Sequence, residues 1–330
     1  MTRLLLPLAG LLLLSGCSKL AVYEPETVSG RLDYHERLAA PIIDQTPQGV
    51  TLQNGEVLLK ADRAPVRLPK GFALLGVDGP YLSAADQKGA LVVYEADREI
   101  FRTELPERVL SAATDGRSVA VTTRDNAHRL IDMASKETRF FSQEKTVLAV
   151  TARLARPLLG QTQAIFPTLD GKLLIVDRAA GKIHHERVIG TESFFANLIF
   201  LAEHEGSVIA ATPTQVAAIT QEGGFLSIDR EVRLVAPLKS GLFLFTLDGT
   251  ITRLSGKLEA LESTKLPYAK IVAATEHDDA IYAVEGSGWV IRLSKDLKTG
   301  HVYELPDNIR QPLLATAQKL YYGRKAVLWP

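Results

Sequence analysis

Residues 270–306 read Lys270-Ile271-Val272-Ala273-Ala274-Thr275-Glu276-His277-Asp278-Asp279-Ala280-Ile281-Tyr282-Ala283-Val284-Glu285-Gly286-Ser287-Gly288-Trp289-Val290-Ile291-Arg292-Leu293-Ser294-Lys295-Asp296-Leu297-Lys298-Thr299-Gly300-His301-Val302-Tyr303-Glu304-Leu305-Pro306. Four short runs rich in β-branched, aromatic and aliphatic residues stand out, at 271–275, 280–284, 289–293 and 301–305. Each pair of runs is separated by Gly, Asp, Ser or Lys, residues that favour turns over strands. The stretch therefore predicts a four-stranded antiparallel unit that ends in Leu-Pro.

The same ending recurs along the chain, at Arg67-Leu68-Pro69, Glu104-Leu105-Pro106, Lys265-Leu266-Pro267 and Glu304-Leu305-Pro306. Neighbouring copies lie a little under 40 residues apart, and the long gap between Pro106 and Pro267 divides into four such steps. Ala112-Ala113-Thr114-Asp115 and Ala273-Ala274-Thr275-Glu276 occupy the same phase of the repeat, as does Leu201-Ala202-Glu203-His204-Glu205. Asp115-Gly116, Asp170-Gly171 and Asp248-Gly249 supply hairpin-type turns. No stretch has a sustained helical period; residues 148–159 come nearest, and Pro157 interrupts them. A period near 40 with four strands per unit predicts an all-β protein, a β-propeller of four-stranded blades. The count is eight blades, with seven as the alternative because the 41–69 unit is short. The C-terminal remainder holds only three strands, at 313–317, 319–322 and 326–329. Its fourth is expected from an N-terminal strand at 31–38, which would close the ring and remove its open edges.

The chain opens with Met1-Thr2-Arg3, an apolar run from Leu4 to Leu14, and Leu14-Ser15-Gly16-Cys17. A short basic start, an apolar core of about ten residues and small residues before a cut site describe an export signal. The run is shorter than the roughly 20 apolar residues of a membrane-spanning helix. Cys17 is the single cysteine of the 330 residues, and the tetrapeptide around it resembles a bacterial lipobox. That resemblance implies cleavage before Cys17, a lipid on its sulfur and an acylated new N-terminus, the double anchor that stable membrane attachment requires. The expected organisation is a signal peptide at 1–16, a lipidated tether at 17–29 and a propeller at 30–330. Ser18 follows the cysteine where an aspartate would favour the inner membrane, so by the same resemblance the expected address is the periplasmic face of the outer membrane.

Lys plus Arg and Asp plus Glu number 38 each. With no basic stripe, nucleic acid is not an expected partner. His184 and His185 are adjacent on a predicted strand and are expected to point to opposite faces. His204 and His277 fall in equivalent turns two units apart. No nucleophile elbow, phosphate loop, Cys-His pair or calcium loop is present, and no cofactor or metal is expected. The candidate partner-binding rim comprises the turns holding His204, Glu205, His277, Asp278 and Arg124.

Gly171-Lys172-Leu173-Leu174-Ile175-Val176-Asp177-Arg178-Ala179-Ala180-Gly181-Lys182 resembles the repeat of quinoprotein-type propellers, in which an Asp-x-x-Thr-Gly-Lys turn joins two strands. Asp296-Leu297-Lys298-Thr299-Gly300 and Asp132-Met133-Ala134-Ser135 are further copies. The tryptophan that docks each blade onto the next in that family is replaced here by His185, Glu304 and Phe140. A lipobox followed by such a propeller resembles the B-type lipoprotein of the outer-membrane barrel assembly machinery. The resemblance implies a non-enzymatic scaffold, membrane-anchored, that binds envelope proteins, the barrel assembly machinery among them. The alternatives are a propeller that binds a small ligand or glycan in its central funnel, and, behind it, a relative of quinone-dependent dehydrogenases.

Overall fold

The computed structural model describes residues 22–147, 151, 153–191, 195–309 and 312–330. Among them there is no helix; eight sheets stand around a central axis as the blades of a closed propeller. Blades 1 to 7 span 42–67, 73–104, 109–143, 158–188, 200–229, 232–265 and 271–304 in chain order, each with its first strand innermost. The reference unit has strands Ile271–His277, Ala280–Glu285, Trp289–Leu293 and Thr299–Glu304, within two residues of the boundaries read from sequence.

Blade 8 is assembled from both ends of the chain. Leu313–Ala315, Lys319–Tyr322 and Lys325–Leu328 are its inner three strands, and Tyr34–Arg37 pairs antiparallel with the last of them. Lys319 and Glu36 add an ion pair across the seam. The predicted closure and the count of eight blades are both observed.

The blades cohere because their second and third strands are apolar on both faces, each face meeting a neighbouring blade. Leu242, Phe243, Leu244 and Phe245 are all essentially inaccessible to solvent. The eight buried clusters of the core each lie between two consecutive blades, so the ring is held by eight interfaces rather than one centre. Phe140 fills the docking role of the absent tryptophan in blade 3, where its ring lies 5.4 Å from Phe166 of blade 4. His185 and Glu304 are exposed and do not dock. The Asp-led turns form as expected: Asp132 Oδ1 accepts the amides of Ala134 and Ser135, and Asp177 Oδ1 those of Ala179 and Ala180. Gly249 has φ +84°, and a Cβ there would lie 1.9 Å from the Leu266 carbonyl, so the turn admits only glycine.

Three local features differ from expectation. Residues 22–29, read as part of a tether, lie against the propeller: Tyr23 is buried in the cluster between blades 6 and 7, and the Ser29 amide donates to the Val302 carbonyl at 2.7 Å. The chain then adds Gly30–Arg31 as a parallel fifth strand on the outer edge of blade 7. His184 and His185 do not diverge. The register against the neighbouring strand shifts at Ile175/Val176, and the resulting bulge turns the two rings to within 4.1 Å of each other. Cys17 and the signal segment lie outside the described residues.

Candidate functional site

In a blade of four antiparallel strands, the turns after strands one and three emerge on one face of the ring, and the turn after strand two on the other. His204 and Glu205 form the first turn of blade 5, and His277 and Asp278 the first turn of blade 7. These four residues share a face, two blades apart. Arg124 lies in the second turn of blade 3 and is exposed on the opposite face. The expected rim is therefore divided, because turn order within a blade sets the face.

The two first turns differ in what they leave free. Glu205, at φ 46°, accepts the Gly256 amide on Oε2 at 2.8 Å, and His204 Nε2 lies 3.3 Å from the Leu254 carbonyl. This turn is thus clasped to blade 6. In blade 7 the His277 ring packs 5.9 Å from Tyr282, with Nε2 3.3 Å from Asp278 Oδ2. Asp278 and Asp279 both take positive φ and project into solvent, Asp279 paired with Lys295 at 2.6 Å. Glu276 accepts the Ser240 amide from blade 6. The blade 7 turn presents an exposed acidic tip.

The axis holds a cavity of ≈ 430 Å³, lined chiefly by the residues that lead into the inner strands of several blades. Arg156 crosses its wall as a pin. Its guanidinium donates to the Ala112 carbonyl of blade 3 at 2.8 Å, to Gln48 Oε1 of blade 1 at 2.7 Å and to Asp78 Oδ2 of blade 2 at 2.5 Å. Gly76 makes the passage possible, since a Cβ there would lie 2.2 Å from the guanidinium. Arg108 and Arg153 line the same cavity. Among the described residues no ion pair joins either to a carboxylate. Burial, with Arg233 nearby, lowers the pKa of Arg153. Burial raises that of Asp44 on the same wall, partly offset by the Gln45 amide and by Arg108. The sequence reading offered a central funnel as a ligand site but not its arginine lining, whose only signal was an arginine just ahead of the inner strand of blade 3 and a pair ahead of that of blade 4.

A second buried polar network joins blades 3 and 4. His128 is wholly enclosed, its Nδ1 3.0 Å from Thr122 Oγ1 and its Nε2 3.2 Å from Asn126 Oδ1. The Asn126 amide donates to Asp170 Oδ1 and to the Lys145 carbonyl. Lys172 sits among Glu144, Asp170 and Glu186. Burial opposes its charge, but the hydrogen bond that Lys172 donates to Glu144 and the nearby carboxylates outweigh that and hold its pKa above the ordinary lysine value. Among the described residues, no group of three or more His, Cys, Asp or Glu is placed to hold a metal ion.

Residues 44–238 match the family described as outer membrane protein assembly factor BamB. The chain belongs to that family. The BamB match covers four whole blades, most of blade 1 and the inner strand of blade 6, and it includes the cavity arginines and the His128 network. Plasminogen-binding protein PgbB of Helicobacter pylori is 25% identical over 352 aligned positions, which cover 92% of this chain. The chain spans 64% of the length of that relative. Among solved structures, BamB from Moraxella catarrhalis superposes with a TM-score of 0.66 at 16% identity, over 90% of this chain and 100% of the other. The C-terminal WD40 domain of Sif2 gives 0.67 at 11% identity, over 92% and 99%. At these identities the two structural likenesses speak for the fold.

Proposed function

We propose that this protein is a non-enzymatic scaffold of the cell envelope, anchored through lipidated Cys17 to the periplasmic face of the outer membrane, where it binds other envelope proteins during outer-membrane protein assembly. Membership of the BamB family carries the reading. The relative named for plasminogen binding supports the coarser part, recognition of other proteins by a propeller. The ring suits that work, because eight interblade interfaces fix the strands from which the turns project and so lower the cost to a partner of ordering its contact surface. The exposed acidic tip at Asp278 and Asp279 is the favoured contact, with the His204 and Glu205 turn two blades away on the same face; Arg124 marks the opposite face.

The test is co-purification from crosslinked membranes. Wild-type protein is expected to recover the barrel insertase. Asp278→Asn together with Asp279→Asn, which removes the charges while keeping residues suited to positive φ, should reduce that recovery several-fold without lowering Tm, whereas Arg124→Glu should leave it unchanged. Loss of recovery with Arg124→Glu alone would move the binding face to the other side of the ring. Absence of any insertase in the wild-type sample would overturn the assembly role.

A further inference from the structure

We infer that the axial cavity is a binding site for a small organic carboxylate with an apolar body, its anionic end held by Arg108 and Arg153. The volume falls within the roughly 300–1,000 Å³ range of small-molecule sites. The cavity's charges sort into those in use and those available. Arg156 is fully engaged by Asp78, Gln48 and backbone carbonyls. Asp86, the second carboxylate of the lining, accepts the amides of Lys88 and Ala90 in its own turn. Arg108, Arg153 and Asp44 remain. Both arginines line the same part-buried space as Asp44, which feels the charge of Arg108, while Arg153 feels that of Arg233.

A buried guanidinium such as that of Arg153, with no carboxylate bonded to it among the described residues, is costly unless an anion joins it. Guanidinium also offers the fork of donors that matches a carboxylate in two parallel bonds. The rest of the lining sets the other half of the ligand. Leu74, Leu75, Leu110, Leu154 and Ile199 present aliphatic surface around the arginines. A fully hydrated anion gains nothing from those walls, while one bearing an apolar group buries it.

The probes are benzoate, benzyl alcohol and inorganic phosphate, titrated calorimetrically into the folded full-length protein. Benzoate is expected to bind with Kd of about 1 mM or tighter, and binding should weaken as salt is added. Arg108→Gln and Arg153→Gln should each weaken it by about tenfold or more. Asp44→Asn keeps the Gln45 amide's acceptor and removes the competing charge, so it should tighten benzoate several-fold; a gain of affinity cannot come from misfolding. Four results would overturn the inference: no benzoate binding, equal binding of benzyl alcohol, binding of phosphate with benzoate silent, or benzoate affinity indifferent to all three substitutions.

Discussion

At the scale of single residues, His128 shows how enclosure changes an ordinary side chain. Desolvation drives its pKa from 6.5 to about 4, against the pull of Glu144, Asp170 and Asp125 and in line with the push of Lys172. The sign of the linkage follows. Above pH 6.5 the ring is neutral in both states and costs nothing. As pH falls from there, the unfolded chain takes up the proton first, and stability declines until the folded ring protonates near pH 4. The full loss is about 3 kcal/mol. His128→Gln should therefore flatten the acid limb, seen as urea midpoints that differ less between about pH 7 and about pH 4 than those of wild type. A wild-type-like pH slope in the variant would place the acid sensitivity elsewhere. His128 was visible in the sequence only as one of seven histidines. Its burial depends on Phe166 and Asp170 of the next blade, partners that no local pattern announces.

At the scale of elements, the strand frame was legible because blades are built from local hairpins. The middle strands of the blades carry runs of consecutive apolar residues, such as that at 242–245, and several turns carry Asp-Gly. What escaped the reading lacked either signal. The Gly30–Arg31 strand is two residues long and parallel to its partner, so neither alternation nor a hairpin turn marks it. The bulge at His184 changes which way a side chain points without changing composition. The division of the candidate rim, with Arg124 across the ring from His204 and His277, was open to reading, since it needs only the count of strands before each turn. Closure by Tyr34–Arg37 was legible from an arithmetic deficit, three strands where four were required. Deleting 313–330 should leave that strand unpaired and strip Leu314 and Leu320 from two interblade clusters. The truncated protein is expected to aggregate and lose its cooperative melt; a monomer with native Tm would show that the seam does not hold the ring.

At the scale of the whole molecule, address and architecture meet at the N-terminus. Cys17→Ser is expected to give a folded protein recovered in the soluble periplasmic fraction, with the acyl mass of the wild type gone. Retention in the membrane fraction would mean that something other than lipid holds it there. The order of contacts along the first residues matters for an anchored ring. With Cys17 lipidated as proposed, a pull arriving from the membrane would meet buried Tyr23 first, then the Gly30–Arg31 pairing, and only afterwards Tyr34–Arg37. The two-residue parallel strand would then act as a strain relief, like the clamp that keeps a tug on a cable from reaching the soldered joint. Jostling of such an anchor would fall first on the two-residue pairing, before it reached the strand that completes the circle.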